Sequence, residues 1–249
     1  MRRIRLALLV ASLVAGVALA GHADTARAHE PDAGHAPALA TYRGAPAPSG
    51  KTVLGPVALE AGLVVVNARH GGRANFTLWL QLGGDRQTGE GLQETHLLIN
   101  EAGRFDGGAA ELLRSPGDWY LIVTADGPYQ FLVEQPREGN VTPVEARHFE
   151  GENQDVTPVF ALPAGTYTLH LTSGADIALT AWLYQVDDLG GAAVFTDDYD
   201  GRFFVSSRPG PYDEAVTLTL RRPGRFLARV DAAALSSTRA PDTWTLTIE

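Results

Sequence analysis

The stretch Thr166-Tyr-Thr-Leu-His-Leu-Thr172 alternates large apolar residues with polar ones. Successive side chains of a β-strand point to opposite faces, so Tyr167, Leu169 and Leu171 are predicted to face a core and His170 to face solvent. The same two-residue period recurs at Val216, Leu218 and Leu220, and at Trp244, Leu246 and Ile248. Clusters of glycine, proline, aspartate and asparagine separate such segments. The pattern predicts an all-β fold of many short strands.

Matching segments recur along the chain and indicate an internal repeat. Ala58-Leu-Glu-Ala-Gly62 returns as Ala161-Leu-Pro-Ala-Gly165, and Trp79-Leu80 returns as Trp182-Leu183, in both cases 103 residues later. Further on, Pro116-Gly117-Asp-Trp119 is echoed by Pro223-Gly224-Arg-Phe226, and Tyr129 to Glu134 by Trp244 to Glu249. Units of roughly 100 residues are too long for a solenoid. The repeat therefore predicts two tandem β-sandwich domains with Greek-key or jelly-roll-like connections.

The N-terminus has the pattern of a secretory signal peptide. Arg2, Arg3 and Arg5 precede an apolar run from Leu6 to Ala20, which is shorter than the roughly 20 residues that span a bilayer. Small residues suited to signal peptidase occur at Ala18-Leu19-Ala20 and again at Ala26-Arg27-Ala28. We expect residues 1–20 to be a signal peptide, cut as late as residue 28, and the mature chain to be exported to the periplasm, the cell surface or the medium.

Composition sets the remaining domain boundaries. Residues 21–52 are rich in alanine, proline, glycine and histidine, and are predicted to be a flexible leader. Residues 53–136 form the first β-sandwich repeat and residues 157–249 the second. Residues 137–156, which contain Pro143 and several acidic residues, are predicted to be the linker between them.

Charge and cysteine content exclude several classes of function. The 249 residues include 20 Lys plus Arg against 29 Asp plus Glu, a formal charge of −9. This balance argues against nucleic acid as a partner. The chain has no cysteine, which excludes disulfides, zinc–thiolate sites and cysteine nucleophiles. No second long apolar run follows the signal peptide, so stable membrane insertion after cleavage is not expected.

Turn glycines and core aromatics carry a resemblance to known exported domains. The first copy contains His70-Gly71, Asn75-Phe76, Leu98-Ile-Asn100, Gly103, Phe105, Gly107, Gly117-Asp-Trp119, Ala125-Asp-Gly127 and Glu134-Gln-Pro136. Over residues 57–136 it resembles a widespread domain of exported prokaryotic proteins. The second copy, through Leu162 to Tyr167, Ala181 to Tyr184 and Pro223 to Phe226, is similar to the bacterial pre-peptidase C-terminal (PPC) domain. The resemblance implies non-catalytic β-sandwiches that bind or assist attachment, some of them with calcium.

Histidines are the candidate ligands for a transition metal. The candidates for copper or zinc are His29, His70, His96, His148 and His170, although no pair has HxH or HxxxH spacing. Such a site would have to be assembled from separate strands. Cleavage after Ala28 would leave His29 at the mature N-terminus, where its amine and imidazole could together chelate copper. The alternative for each internal histidine is a solvated position on a strand or loop.

Asp197, Asp198 and Asp200, beside Gly201, form the densest acidic cluster and are the candidate calcium ligands. Calcium prefers several carboxylate and carbonyl oxygens around a turn. The segment is not an EF-hand, because Thr196 would hold the first ligand position and Ser207 the twelfth, where a bidentate glutamate is needed. The alternative is a solvated acidic turn before the strand that starts at Arg202.

Together these features predict an exported, non-catalytic binding or assembly module of the bacterial cell envelope. The alternative is an exported copper- or zinc-binding protein, such as a redox-protective superoxide dismutase-like enzyme, which would be a copper-dependent oxidoreductase. Envelope or surface proteins are the expected partners, and exposed edge strands would allow oligomers. Carbohydrate binding would need an exposed aromatic strip. Trp79 and Trp182 lie in apolar strand runs, like Trp119 and Trp244, and are predicted to be core residues.

Overall fold

The structure is a computed structural model that describes residues 25–27, 34–47, 50–83, 94–173, 177–186, 202–209, 211–234 and 243–249. These residues form β-strands joined by turns and loops, with no α-helix among them, so the all-β prediction is confirmed. The described part of the chain accordingly has no helix long and apolar enough to cross a membrane. The predicted strand around Leu169 extends from Gly165 to Ser173, with Leu169 and Leu171 buried and the side chain of His170 partly exposed.

The strands are numbered β1 to β18 along the chain. A short strand, β1 (Thr25–Arg27), precedes the two sandwiches. The first sandwich contains β2 (Ala38–Gly44), β3 (Thr52–Leu59), β4 (Gly62–His70), β5 (Asn75–Leu82), β6 (Glu94–Ala102), β7 (Phe105–Leu113), β8 (Gly117–Thr124) and β9 (Tyr129–Glu134). The second contains β10 (His148–Glu152), β11 (Asp155–Val156), β12 (Phe160–Leu162), β13 (Gly165–Ser173), β14 (Ile177–Gln185), β15 (Arg202–Pro209), β16 (Tyr212–Leu220), β17 (Gly224–Ala234) and β18 (Thr243–Ile248).

The two sandwiches have the same topology, which confirms the tandem repeat. In the first, sheet I has the order β2-β9-β4-β7 and sheet II the order β3-β8-β5-β6. In the second, sheet III has the order β10-β18-β13-β16, with β1 parallel to β10, and sheet IV has the order β11-β17-β14-β15, with β12 also paired to β17. Sheet III therefore corresponds to sheet I and sheet IV to sheet II. Among the described strands, the second sandwich departs from the first at two points: β11 and β12 together take the place of β3, and β1 adds a parallel strand at the edge of sheet III.

The domain boundaries differ from those predicted at two points. Residues 38–44 fall in the predicted flexible leader but form β2, which pairs with β9 at the edge of sheet I. Residues 148–152 and 155–156 fall in the predicted linker but form β10 and β11 of the second sandwich. Both predictions followed the local abundance of proline and polar residues, whereas long-range strand pairing holds these segments. The predicted signal peptide, residues 1–20, lies outside the described residues.

Each sandwich has its own core between its two sheets, because every second side chain of each strand points inward. The first core includes Phe76, Trp119 and Phe131, and the second includes Phe160, Phe226 and Trp244, all of them buried. The prediction that Trp119 and Trp244 are core residues is therefore confirmed.

A third apolar cluster joins the outer face of sheet I to the outer face of sheet IV. Leu63 and Val65 of β4 and Ala110 of β7 pack there with Tyr184 of β14 and Leu227 of β17. The four sheets thus stack in the order II, I, IV, III. This contact between sheets I and IV is called the joint below. The outer faces of sheets II and III lie at the two ends of the stack.

The joint brings backbone and polar groups close together as well. A Cβ atom at Gly107 would overlap the backbone oxygen of Gln154, and one at Gly108 would crowd the side chain of Val156. Glycine is therefore required where β7 meets the second sandwich. The buried Asp155 carboxyl accepts hydrogen bonds from the backbone N–H groups of Val156 and Gly108, and burial raises its pKa well above the usual value.

Arg229 is the main polar residue of the joint. Its guanidinium is buried, and it donates hydrogen bonds to the backbone oxygens of Ala110 (2.8 Å) and Leu98 (3.2 Å) in the first sandwich. It also donates to Asp231 (2.8 Å) and lies 3.8 Å from Glu111. A buried guanidinium needs partners of this kind to offset its desolvation. These bonds bridge the two sandwiches.

Candidate functional site

The predicted metal ligand His70 has a structural environment. It ends β4, is buried, and stacks on Phe76 with ring centroids 4.5 Å apart. Its Nδ1–H donates to the Gly103 backbone oxygen (2.7 Å), and its Nε2 lies 3.2 Å from the Asp126 carboxylate. The backbone N–H groups of Arg73 and Ala74 hold the pKa of Asp126 below its usual value. These contacts fix the turn after β4.

The other predicted histidine ligands that the structure describes, His96, His148 and His170, lie on three different strands. His96 of β6 pairs with Glu94 (2.8 Å) beside the Trp119 ring. On the outer face of sheet III, His148 contacts Thr247 (2.8 Å) and His170 contacts Asp213 (2.6 Å). Since Thr247 pairs in register with both, His148 and His170 flank it on neighbouring strands.

The structure does not bring together the four predicted histidine ligands that it describes. Among the described residues, no three histidine, aspartate or glutamate side chains are placed to hold one metal ion. His70 and His96 belong to the first sandwich, and His148 and His170 to the second. His29 and the acidic cluster Asp197, Asp198 and Asp200 lie outside the described residues.

A cleft of about 830 Å³ lies beside the joint and contains a different set of polar groups. Its floor is the outer face of sheet I, where Asn67 of β4 and Glu134 of β9 lie. One wall is the segment before β2, residues 34–38, and another is residues 140–144 between the sandwiches. The Val159 backbone N–H donates to the Gly34 oxygen (2.9 Å), which ties the first wall to the second sandwich. We call this the polar cleft.

Glu134 is the buried acidic group of the polar cleft. One carboxylate oxygen accepts a hydrogen bond from the Asn67 side-chain amide (3.0 Å), and the other accepts one from the Ala36 backbone N–H (3.2 Å). That second oxygen also lies 3.4 Å from Nδ1 of His35. Both oxygens are thus engaged, and the carboxylate holds the imidazole of His35 in a fixed orientation.

Two buried atoms of the polar cleft have unused hydrogen-bonding capacity. His35 Nε2 and Asn67 Oδ1 are shielded from solvent and have no hydrogen-bond partner among the described residues. Buried polar atoms are normally paired, and an unpaired one is costly. A neutral imidazole whose Nδ1–H points at Glu134 offers a lone pair at Nε2. Both atoms therefore have unused acceptor capacity beside the cleft, and a ligand would reach them only after a local shift of the residues that cover them.

Sequence reasoning missed this site because His35 was placed in the flexible leader. His35 and Glu134 are 99 positions apart, and neither belongs to a recognisable motif. The Glu134-Gln-Pro136 segment contributed only to the family resemblance. The two-residue period of a strand predicts which face of its sheet Glu134 lies on. It does not predict which distant segment of the chain covers that face.

The tryptophans divide into core and outer-face residues. The prediction that Trp79 is a core residue is wrong: it is 37% exposed on the outer face of sheet II, because Phe76, Leu78 and Leu80 take the inward positions of β5. Trp182, at the equivalent place in β14, also points outward from its own sandwich. It packs against the apolar cluster of the joint, with the Arg202 guanidinium 4.7 Å from its ring centre.

Comparisons with known proteins return solved structures of low sequence identity and low TM-score. No family model matches the sequence, so membership of the PPC family is not confirmed, and no curated protein sequence matches. The PBSX exported protein XepA is 12% identical, with 86% of this chain and 84% of that chain covered and a TM-score of 0.23. The tandem CBM22-1-CBM22-2 domain of Paenibacillus barcinonensis Xyn10C is 8% identical, with 88% and 99% covered and a TM-score of 0.28. A secreted protein of Parabacteroides distasonis is 10% identical, with 84% and 87% covered and a TM-score of 0.21.

Proposed function

We propose that this chain is an exported, non-catalytic binding module of the bacterial cell envelope, with the polar cleft as its binding site. Export rests on the N-terminal pattern of Arg2, Arg3 and Arg5 followed by the apolar run from Leu6 to Ala20. The PPC-like resemblance of the second copy is in keeping with such a role. N-terminal sequencing of the protein from cell fractions tests the export step, with a mature start between residues 21 and 29 expected. A cytoplasmic protein that still begins at Met1 would contradict it.

The observation that carries the binding proposal is the pair of buried, unpaired acceptors, His35 Nε2 and Asn67 Oδ1, on residues that line a cleft of about 830 Å³. That volume is in the range of small-molecule sites, roughly 300–1,000 Å³. Two acceptors beside the Glu134 carboxylate favour a ligand that donates hydrogen bonds, namely an amine or a polyol.

The same contacts support binding rather than catalysis. Both oxygens of Glu134 accept hydrogen bonds within the protein, so this carboxylate serves as an anchor. His35 is held by Glu134 on one side and presents one acceptor on the other. A fixed set of acceptors selects a ligand by geometry, without bond-making steps.

Thermal-shift and calorimetric titrations with spermidine and with sorbitol test the proposal. We expect at least one probe to raise the Tm of the wild type and of His148→Gln, a matched histidine variant on sheet III. The same probe should fail to raise the Tm of His35→Gln. A shift that survives in His35→Gln, or no shift with either probe, would contradict the site. Conversion of the probe, detected by mass spectrometry, would contradict the non-catalytic assignment.

Metal binding by residues outside the described part of the chain stays a separate prediction. Copper is predicted at His29 if cleavage follows Ala28, and calcium at Asp197, Asp198 and Asp200. Metal analysis of the mature protein tests both. Stoichiometric copper lost in His29→Ala would support the metalloprotein alternative, and copper-free protein that begins at His29 would count against it.

A further inference from the structure

An apolar row crosses the outer face of sheet II, at the end of the stack opposite the second sandwich. In register, Leu97 of β6 lies beside Trp79 of β5, Trp79 beside Ile122 of β8, and Ile122 beside Val53 of β3. Leu97, Trp79 and Val53 are 40%, 37% and 41% exposed, whereas Ile122 is 2% exposed and forms the floor between its neighbours. Three inter-strand steps of about 4.8 Å give this row a length of about 14 Å.

Polar residues border the apolar row on both sides, and on one side the mostly buried Tyr120 of β8 lies next to Gln81. On one side lie Thr77, Asn100 and Thr124, which pair in register with one another. On the other side Gln81 of β5 pairs with Thr95 of β6. A shallow hollow of about 300 Å³ lies along the Trp79 ring and is also lined by Lys51, Gln81, Ile122 and Thr124.

The two-copy architecture argues against a second copy of this chain as the partner of the row. The equivalent face, on sheet IV, packs on sheet I through Tyr184, Leu227 and Arg229. In sheet II the positions equivalent to Tyr184, Leu227 and Arg229 are occupied by Gln81, Tyr120 and Ile122, respectively. A second copy that repeated the geometry of the joint would have to offer sheet III, since that sheet corresponds to sheet I. Sheet III has threonines where sheet I has its apolar contacts: Thr166, Thr168, Thr217 and Thr219 stand in place of Leu63, Val65, Ala110 and Leu112.

The width of the row also argues against a broad protein interface. Stable protein interfaces bury about 800 Å² per partner around a contiguous apolar centre. Here a short row of exposed apolar side chains is bordered by polar side chains and by the mostly buried Tyr120. This pattern suits a molecule that is itself apolar on its faces and polar along its edges.

We propose that the apolar row is a binding platform for a neutral, β-1,4-linked glycan chain. A pyranose ring presents C–H groups on its face and hydroxyls around its edge, so its face packs on the electron-rich face of Trp79. The hydroxyls then reach Gln81 and Thr95 on one side and Thr77, Asn100 and Thr124 on the other. A β-1,4-linked chain is flat and extended, which matches a straight row across four strands.

This proposal is independent of the polar cleft, which lies on sheet I rather than sheet II. Calorimetric titration with two soluble probes, cellohexaose and chitohexaose, tests it. We expect at least one of them to bind the wild type, and Trp79→Ala to weaken that binding by about tenfold or more. Trp79→Tyr should retain most of the affinity, because it restores an aromatic face.

Two controls separate stacking from a general effect of substitution. Leu39→Ala removes another exposed apolar side chain, on β2 of sheet I, and should bind as the wild type does. His35→Gln should also leave glycan binding unchanged, which distinguishes this platform from the polar cleft. Equal affinity in Trp79→Ala and the wild type, with unchanged Tm, would overturn the proposal. The absence of binding to both hexasaccharides by the wild type would overturn it as well.

Discussion

The two sandwiches carry the same outward-facing tryptophan on equivalent strands, Trp79 on β5 and Trp182 on β14. In the first sandwich the face around Trp79 is open to solvent. In the second, the face around Trp182 is covered by the first sandwich. One topology therefore presents the same sheet face as a free surface in one copy and as a domain joint in the other.

The residues on the neighbouring strand account for the difference. Trp79 pairs in register with Ile122, and Trp182 pairs in register with Arg229. Isoleucine leaves the first face without charge at its centre, whereas Arg229 reaches across to backbone oxygens of the first sandwich. Two residues further along each strand, Thr124 corresponds to Asp231, which holds the Arg229 guanidinium in place. The comparison indicates that a few polar substitutions convert such a face into a joint.

Replacing Arg229 by the isoleucine found at the equivalent position of the first copy should have the largest effect on the joint. Arg229→Ile leaves Asp231 without the guanidinium that it binds, although Arg202 still lies 3.6 Å from Glu111. It also removes a donor from two buried backbone oxygens. We expect a loss of about 3–5 kcal/mol in the free energy of unfolding, measured by chemical denaturation. Arg104→Ile, at an exposed position of the first sandwich, is the matched control and should change stability little. A loss in Arg229→Ile no larger than in the control would contradict the role of Arg229 in the joint.

The glycines of β7 allow the second sandwich to approach, so Gly107→Ala should weaken the joint. The new methyl group would meet the backbone oxygen of Gln154, which cannot move aside freely. We expect a destabilisation of about 1–3 kcal/mol by thermal or chemical unfolding. Gly165→Ala on β13 meets only ordinary contacts with Tyr167 and should be nearly neutral. Equal effects of the two substitutions would show that β7 is not closely covered.

The joint should also respond to pH through Glu101. Burial, together with the negative charge of Asp231, raises the pKa of Glu101 from 4.5 to about 7. The folded state therefore favours the protonated form. The resulting stabilisation is fully present below the unfolded pKa near 4.5 and is lost as the pH rises through 7.

Glu101→Gln should remove this dependence. Between pH 5 and pH 8, we expect the free energy of unfolding of the variant to rise by about 1–2 kcal/mol relative to that of the wild type. This value allows for screening by the solvent that reaches part of the Glu101 side chain. Denaturation curves at the two pH values measure it, with Glu138→Gln at an exposed position as the control. A wild type and a Glu101→Gln variant with parallel pH profiles would contradict the coupling.

The fold could be predicted from the sequence because the patterns that indicate it can be read within short segments of the chain. The alternation at Thr166 to Thr172 predicts a half-buried strand, and the constant offset between Trp79 and Trp182 predicts equivalent strands in two copies. Both predictions are confirmed, since strand β5 corresponds to β14 and the sheet orders match. Alternation also indicates, in retrospect, that Trp79 faces outward, because Phe76, Leu78 and Leu80 occupy the inward positions of β5.

The surface of each sheet could not be predicted in the same way, because what covers a face depends on distant parts of the chain. Trp79 and Trp182 have the same period and similar apolar neighbours in sequence, but only Trp182 is met by another domain. The contact between His35 and Glu134 likewise depends on how residues 34–38 cross sheet I. No local pattern around His35, which lies in a segment rich in proline and alanine, indicates that partner.

Acrylamide quenching of tryptophan fluorescence tests the central difference between the two faces most directly. The four tryptophans include two that are fully buried, Trp119 and Trp244, so a quenchable signal must come from Trp79 or Trp182. We expect Trp79→Phe to lose most of the quenchable emission and Trp182→Phe to retain it. The reverse result, with the quenchable emission lost in Trp182→Phe, would mean that the second copy's face is open and would contradict the account.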